Sequence, residues 1–588
     1  MLDRRLVAGG AAIALVAVAM VAFVLLSPRW APGTLNQITQ QQLGRSFVAT
    51  GGATLDFSPL SIRIAGPSLS GADARNDSFV SGGQLVIPVS FSQLISRKPS
   101  LSFFQLTDSD ISLFIDERGQ ASWDFPGLKS FAPLQISLEQ VRFRYFDARN
   151  NQSLTLSNVD GLLEVREDGG ASFKGSAVVN SRVLRIDADL KSLVRIDGDG
   201  SPLELALAGD AGTASFSGRL STAKVLSLTG PVSLSSTVPV DGLRLLGLPL
   251  PDGLAVAGPL TLDGALDSAG RAFAIRDASL TMGGFRASGD VVADLRGDQP
   301  KLQANLNADT IWLDPFIPAA GATGDDWGRT PLPFALLKTF DADVNIDARD
   351  LRYQGFSAAA SRMKVTLAAG KLEVSSASRL TSGGTVSVLV KADASTLPPS
   401  VSLNVTAQQA EAQTLLTALA GISHVTGTGS FSADLAAQGQ TQEELAGTLK
   451  GTASVALTGG QITGTDLSAL FAATRQKILD GWQAAPGVTP FNNLGGEAGI
   501  ADGIVSFRNF KIDTPVASFT AEGLIDILRR GVEFHASGTA GAQPILPVPV
   551  IVKGPWGAPR IYPDVPNILT NPEGGFARLQ EVPAVEGN

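Results

Sequence analysis

The chain has 588 residues, well beyond the roughly 250–300 at which a single hydrophobic core stops growing, so it holds several domains or one elongated repetitive array. Hydrophobic residues make up 44% and charged residues only 17%, with 63 Gly and 33 Pro, which excludes a disordered chain and favours turn-rich β-structure. A net charge of −9 without a dense basic stripe excludes nucleic-acid binding, and zero cysteines exclude disulfides, thiolate nucleophiles and Cys-ligated metals.

The first predicted element is a membrane-spanning helix. An uncharged run extends from Val7 to Leu26, and at about 1.5 Å per residue it spans a hydrocarbon core of roughly 30 Å. Arg4 and Arg5 precede it, so the positive-inside rule predicts a cytoplasmic N-terminus and export of the remainder. The alternative is a cleaved signal peptide, but no small-x-small cleavage site follows. The proposed anchor residues are Val7, Ile13, Leu15, Val18, Phe23 and Leu26.

Strands follow a short helix, which is predicted over Thr34–Arg45 with Thr34 as its cap. From about Phe47 onwards apolar residues recur with period two, which predicts strands that are buried on one face. The clearest alternations are Ile111/Leu113/Ile115, Val141/Phe143/Tyr145, Val386/Val388/Val390 and Val401/Leu403/Val405. Glycine-containing turns recur roughly every 8 to 15 residues, as in hairpins and meanders. The fold class is therefore mainly β, with an elongated, repetitive antiparallel sheet of about 30 strands.

Three segments interrupt this pattern. Asp314–Pro333 is rich in Pro, Gly and acid and is predicted to be a loop, whereas Ala410–Ala420 and Asp466–Trp482 are predicted to be helices. The predicted divisions are an anchor at 1–33, an N-terminal β region at 34–190, a middle β region at 191–333, a C-terminal β region at 334–565 and a polar tail at 566–588.

No constellation of catalytic residues is evident. Only His424 and His535 are present, far apart in sequence, and the common hydrolase, phosphate-loop and zinc-helix motifs are absent. Asp197–Ser201 begins like a calcium loop, but Pro202 and Ala208 stand where Gly and Glu are required, so we interpret it as a polar turn. Asp325–Asp326 is interpreted as a solvated loop. We therefore expect no enzymatic activity, no cofactor and no metal.

Several motifs resemble one known family. Leu55–Gly71 and Ile95–Asp116 precede LFIDERGQASWDF at Leu113–Phe125, and together they resemble the N-terminal signature of the AsmA family. The matching residues are Pro59, Leu60, Gly119 and Trp123, followed by Asp147 after a predicted strand. Gly119 permits a turn with positive φ, and Trp123 is expected to cover the end of the first sheet by packing rather than to catalyse a reaction.

The C-terminal part resembles the second conserved region of the same family. Val425–Phe471 and Leu494–Ile527 carry the similarity, and Pro547–Asp564 resembles its closing strand. The glycines taken as signature positions are Gly427, Gly429, Gly460 and Gly464. Between about Leu190 and Asp314 only general β character supports the resemblance.

The resemblance implies a protein of the bacterial inner membrane, single-pass, with the bulk of the chain in the periplasm and a role in outer-membrane biogenesis and lipid homeostasis. Such families are similar to bridge-like lipid-transfer proteins, whose sheets curl into a trough with an apolar floor. Periodicity alone does not distinguish such a trough from a series of closed β-sandwiches.

The expected ligand is membrane phospholipid, and outer-membrane or periplasmic proteins are further candidate partners. The alternative function is a scaffold or assembly factor for outer-membrane proteins. The residues expected to line the lipid groove are Val386, Val388, Val390, Val401, Leu403 and Val405.

Overall fold

The computed structural model describes residues 28–563, with gaps at 72–77, 124–132, 150, 180–181, 194–195, 197–198, 239–257, 284, 298, 315–326, 421, 465, 467–485, 516, 541–542, 545–549 and 556–559. The predicted anchor, the Asp325–Asp326 pair and nearly all of the predicted helix Asp466–Trp482 lie outside the described residues. Among the residues that are described, no helix is both long and apolar enough to cross a bilayer.

Helices are few in the described part of the chain. They are α1 (Ala31–Leu43), α2 (Phe91–Ser96), α3 (Ala412–Ala420) and α4 (Gln442–Gly447), with 3-10 turns at Pro28–Trp30 and Phe334–Lys338. The helix predicted at Ala410–Ala420 is confirmed as α3. The predicted Thr34 cap is wrong, because α1 begins three residues earlier and its N-cap, Trp30, makes no side-chain hydrogen bond. A proline fits in its first turn, where a backbone N–H has no intrahelical acceptor.

The chain divides into two compact units. Unit 1 comprises residues 1–250 and 258–280, and unit 2 comprises residues 251–257 and 281–588. The strands of unit 1 are β1 (Phe47–Ala49), β2 (Ala53–Phe57), β3 (Leu60–Ala65), β4 (Pro67–Ser70), β5 (Ser78–Ser81), β6 (Gln84–Pro88), β7 (Phe103–Thr107), β8 (Asp110–Ile115), β9 (Leu134–Asp147), β10 (Gln152–Val165), β11 (Ala171–Val179), β12 (Arg182–Leu190), β13 (Ser201–Gly209), β14 (Gly212–Ser221), β15 (Ser227–Ser236), β16 (Leu260–Ala269) and β17 (Ala272–Met282).

The strands of unit 2 are β18 (Phe285–Asp294), β19 (Lys301–Trp312), β20 (Asp341–Tyr353), β21 (Phe356–Ala368), β22 (Lys371–Leu380), β23 (Thr385–Asp393), β24 (Ser400–Glu411), β25 (Thr428–Gln438), β26 (Lys450–Thr463), β27 (Val488–Ala501), β28 (Ile504–Asp513), β29 (Ser518–Asp526), β30 (Gly531–Ala540), β31 (Gln543–Pro544), β32 (Val550–Pro555) and β33 (Arg560–Pro563). The prediction of a mainly β, repetitive fold is confirmed.

Consecutive strands pair with one another in both units. In unit 1, β9 to β16 form an unbroken antiparallel series, and in unit 2 the series from β20 to β30 is antiparallel as well. A single hydrogen-bonded ladder in each unit favours an open sheet over a series of two-sheet sandwiches. The domain boundary predicted at 190 falls between β12 and β13, which pair with each other, and the boundary predicted at 333 falls between β19 and β20, which also pair. These boundaries stay predictions.

The sheet is not antiparallel throughout, which corrects the sequence-based expectation. β7 and β8 both pair in parallel with β9, and β19 pairs in parallel with β20. Parallel neighbours cannot be joined by a tight hairpin, so a longer connection is required between them. The predicted Pro/Gly loop at 314–333 lies in that connection between β19 and β20.

The described part of this connection forms a strap along one end of the unit 2 strands, comprising residues 327–340. The Trp327 indole N–H donates to the Ile527 carbonyl over 3.2 Å. The Arg329 guanidinium pairs with Glu443 on α4 at 2.7 Å, and the 3-10 turn Phe334–Lys338 contacts β21 and β22. The strap therefore ties together strand ends that are well separated in the sheet order.

Register aligns side chains across each sheet. Because side chains alternate between the two faces, a straight row of paired residues lies on one face. One row in unit 1 is Ile136, Leu163, Phe173, Ala188, Leu205, Phe216 and Val232. The neighbouring row on the opposite face is Gln135, Glu164, Ser172, Asp189, Glu204 and Ser217. One face is thus apolar and the other polar.

Glycines at close strand approaches give a first prediction. A Cβ on Gly429 would lie 1.9 Å from the Ala456 carbonyl oxygen on β26, whereas a Cβ on Gly33 in α1 would meet nothing within 4 Å. Gly429→Ala should therefore destabilise the protein by about 1–3 kcal/mol through overpacking, and Gly33→Ala should be neutral or stabilising by roughly 0.5–1 kcal/mol. Thermal unfolding followed by circular dichroism checks this, and equal midpoints for the two variants would contradict it.

Candidate functional site

The main candidate site is the apolar face of the unit 2 sheet. Its central row crosses strand after strand in register: Val344, Val365, Val374, Val390, Leu403, Leu435, Gly451, Ile500, Val505, Ile525 and Val532. Every residue of this row is half-buried, so each keeps some contact with solvent. We call this the central row.

The opposite face of the same strands is polar. Lys391 on β23 pairs with Glu373 on β22 at 3.1 Å, and Arg362 on β21 pairs with Asp347 on β20 at 2.9 Å. These pairs are exposed, so each contributes about 0–1 kcal/mol. Their main effect is to define which face is solvated, because the apolar residues alternate with them along every strand.

The six residues predicted to line a groove do share the apolar face. Val388 pairs with Val405 and Val390 with Leu403 across β23 and β24. Their burial differs, however: Val386 is 6% exposed and Val405 only 3%, while Val388, Val390, Val401 and Leu403 are half-buried. Only these last four have surface on the apolar face that a ligand could contact.

Helix α3 explains the difference. Leu415 on α3 is 3% exposed and packs in one cluster with Val386, Ala407 and Phe431. The Ala412 N–H donates to the Gly427 carbonyl over 2.8 Å, which fixes the start of the helix against β25. The helix therefore covers the apolar face at one end of the strands, and the central row lies beyond that cluster.

The C-terminal signature glycines allow close backbone approach beneath this cluster. The Phe491 ring is buried, with 3% exposure. Its nearest carbon would lie 2.5 Å from a Cβ on Gly460 and 3.3 Å from a Cβ on Gly427, so a side chain at Gly460 would collide with the ring. Gly429 meets the β26 backbone, as described above. Gly464 has φ +89 and open space around it, so glycine is favoured there by the positive φ of the turn and not by a close contact.

The N-terminal signature residues form turns at the beginning of unit 1. Pro59 lies in the turn between β2 and β3, and Leu60 is the first residue of β3. Gly119 has φ +86 in a hairpin whose tip is ordered by the Asp116 carboxylate, which accepts the N–H groups of Arg118 and Gln120 at 2.9 and 2.7 Å. The hairpin brings Trp123 to Tyr145, with ring centroids 6.3 Å apart.

Asp147 occupies a buried ion pair that sequence reasoning did not foresee. Its side chain is fully buried, and the Arg149 guanidinium donates to both carboxylate oxygens at 2.9 and 2.8 Å. Burial alone raises the pKa of Asp147, but the hydrogen bonds and charge of Arg149 outweigh it and lower that pKa below its ordinary value. Burial and the adjacent carboxylate raise the pKa of Tyr145. The spacing Asp-x-Arg after a strand was the available signal for this pair.

Arg149 also shows that the unit 1 sheet curls. It lies in the β9–β10 turn, yet it donates to the Thr222 carbonyl at 3.2 Å and the Ala223 carbonyl at 3.3 Å, in the connection after β14. In a flat sheet the four inter-strand steps from β10 to β14 alone would separate these segments by about 19 Å. The segments also lie at opposite ends of the strands. The sheet must therefore curl back for the contact to form.

Irregular positions in the strands also bend the sheets. Register shifts occur at Ala359–Arg362, Ala407–Ala410 and Phe507–Phe510, and each contains a non-glycine residue with positive φ: Ala360, Gln409 or Asn509. Such β-bulges bend a strand and increase its twist. The unit 2 sheet thus carries repeated local curvature.

The described residues offer no metal site. They contain no group of three or more His, Cys, Asp or Glu side chains placed to hold a metal ion. His535 pairs with Glu522 across β29 and β30, and the His424 carbonyl accepts from Thr463. The absence of enzymatic activity stays an expectation.

Comparisons with known proteins bear on the apolar face. The model of the AsmA family matches residues 296–510, which carry most of the central row. Protein AsmA of Escherichia coli (strain K12) is 21% identical over 388 residues, covering 59% of this chain and 63% of that protein. The matched part is therefore less than two thirds of that relative's length. No solved structure matches the chain. The two matches support membership of the AsmA family and confirm the resemblance seen in the sequence.

The buried pair gives a second prediction. Asp147→Ala should cost about 3–5 kcal/mol at neutral pH, because it removes one partner of a buried ion pair and with it both hydrogen bonds from the Arg149 guanidinium. The exposed control Asp187→Ala, which removes a 3.6 Å pair with Lys174, should cost about 0–1 kcal/mol.

The pH dependence of this stability follows from the lowered pKa of Asp147. The stabilisation is fully present above the ordinary carboxyl pKa and is lost as pH falls through the lower folded-state pKa. Unfolding midpoints of the wild type and Asp147→Ala should therefore converge on acidification. A constant difference between them at all pH values would contradict the assignment.

Proposed function

We propose that this protein supports outer-membrane biogenesis and lipid homeostasis by binding or conducting phospholipid along the apolar face of its curled sheet. In this proposal Val7–Leu26 anchors it in the bacterial inner membrane and the remainder lies in the periplasm. The observation that carries the proposal is the central row, which places half-buried Val, Leu and Ile side chains in register on ten of eleven strands from Val344 to Val532, with Gly451 on the eleventh. The similarity to the AsmA family supports the envelope location and the coarser role in outer-membrane assembly.

The energetics of the apolar face favour an apolar ligand. The row crosses eleven strands, β20 to β30, which at roughly 4.8 Å each gives a strip on the order of 50 Å long. A strip of this size open to water is far larger than the apolar patches that soluble monomers usually expose. Among the described residues, helix α3 covers the apolar face at one end of the strands, beside this strip rather than over it. Acyl chains would bury it at about 0.8 kcal/mol per methylene.

Curvature would make this face a trough. A concave apolar face contacts more of an acyl chain than a flat one, and its polar convex face stays solvated. The bulges of unit 2 and the Arg149 contact in unit 1 support such curling. The proposal therefore places acyl chains inside the curve, along the central row, and lipid headgroups at its open edge.

Photo-crosslinking on both faces tests the proposal. A crosslinking amino acid at Val390 or Leu403 should form phospholipid adducts in cells, and one at Leu389 or Asn404, on the adjacent residues of the same strands but the opposite face, should not. Adducts are identified by lipid mass spectrometry. If expression is normal, equal lipid labelling of both faces, or no lipid labelling of either face, would contradict the proposal. Protein adducts on the polar face would favour the assembly-scaffold alternative.

A charge introduced on either face gives a matched functional test. Val390→Asp should impair the outer-membrane barrier as strongly as loss of the protein, because a carboxylate against acyl chains is costly to desolvate. Leu389→Asp should behave like the wild type, because its side chain points to the polar face. Detergent and antibiotic sensitivity of cells with matched protein levels measures this. A normal barrier with Val390→Asp would argue against lipid on this face.

A further inference from the structure

Unit 1 displays large apolar side chains on a firmly held surface near its first strands. Phe91 and Ile95 on α2 are 60% and 70% exposed, and Phe57 at the end of β2 is 66% exposed. Phe57 pairs with Leu60, whose carbonyl accepts the Val89 N–H immediately before α2. These three side chains therefore belong to neighbouring segments at one end of the small strands, and we call them the apolar tip.

The exposure of Phe91 and Ile95 does not result from a poorly packed helix. Leu94, between the two exposed side chains on α2, is fully buried in the unit 1 core. The Ser90 hydroxyl accepts the Gln93 N–H, and the Gln93 side chain accepts the Ser90 N–H at 2.8 Å, which closes both sides of a capping box. The helix is thus locked in the orientation that points Phe91 and Ile95 outward.

Two cations directly follow the exposed side chains. Arg97 and Lys98 are exposed at the end of α2 and make no ion pair among the described residues. Arg29 is exposed in the 3-10 turn that contacts β2. In a chain with a net charge of −9, exposed apolar side chains directly followed by two cations fit a surface that is apolar beneath and anionic at its boundary.

The first described residues of unit 1 indicate where an anionic membrane surface would lie. The described structure begins at Pro28, and the 3-10 turn Pro28–Trp30 contacts β2, the strand that ends at Phe57. The residues just before it are the uncharged run Val7–Leu26, which the sequence predicts to cross the membrane. Strand β2 therefore connects the two features: it ends at Phe57 of the apolar tip, and it contacts the turn that follows the predicted membrane helix.

We propose that the apolar tip docks on an anionic phospholipid membrane surface, with Phe57, Phe91 and Ile95 inserted at the interface and Arg97 and Lys98 facing lipid phosphates. This contact would hold unit 1 at a fixed height and orientation on the bilayer. It rests on the proposed anchoring by Val7–Leu26, and it is independent of lipid on the apolar face of unit 2.

The absence of cysteine in the chain makes a direct test available. Full-length Ile95→Cys is labelled with an environment-sensitive fluorophore and reconstituted in vesicles of phosphatidylethanolamine and phosphatidylglycerol. The matched control is Val183→Cys on β12, another apolar residue of unit 1 with 63% exposure. The Ile95 probe should shift to the blue and be quenched several-fold more than the control by lipids carrying spin labels near the headgroup.

The charge contribution is tested in the same system. Arg97→Glu with Lys98→Glu should reduce quenching at Ile95, and so should high salt or replacement of phosphatidylglycerol by phosphatidylcholine. Quenching equal to that at Val183, or a blue shift without lipid quenching, would overturn the proposal, because the latter outcome means that protein covers the tip. Failure of anchoring is recognised separately, because then no labelled variant floats with the vesicles.

Discussion

Strand register is the constraint on which the rest of this structure depends. Side chains alternate with a period of exactly two residues, so a slip of one residue on any strand would turn its apolar residues to the polar face. In unit 2 the pairing from Val344 to Val532 keeps every intervening residue of the central row on one side. The alternation of charged and apolar residues along each strand makes every slip costly, because it would place ion-pairing side chains such as Lys391 on the apolar face.

Register alone gives a sheet with one apolar side, and bulges bend that sheet; the proposed trough has the apolar side on the inside of the curve. Bulges around Ala360, Gln409 and Asn509 add curvature at intervals along the unit 2 sheet. In unit 1, Arg149 holds the curl directly by joining the buried Asp147 to backbone carbonyls after β14. A buried carboxylate is unfavourable by itself, so Asp147 depends on its pair with Arg149, and the same pair fixes the geometry of the curl.

The sequence predicted those features that depend on local pattern. Period-two alternation identified β23 and β24 and the face shared by Val390 and Leu403, and helix α3 was expected from the composition of Ala410–Ala420. It missed features that depend on contacts distant in sequence. Nothing local distinguishes Val386, covered by α3, from Val390, and the parallel pairing of β19 with β20 is set by the connection between them. Likewise, the backbone carbonyls that accept from Arg149 lie some 70 residues away.

The central claim is that phospholipid acyl chains occupy the concave apolar face. Cryo-electron microscopy of the full chain, purified with native membrane lipid, tests this most directly. The account predicts elongated density within van der Waals distance of Val344, Val390, Leu403 and Ile525, with none on the Lys391 face. An apolar face in tight contact with protein along the whole central row, leaving no space for such density, would contradict it.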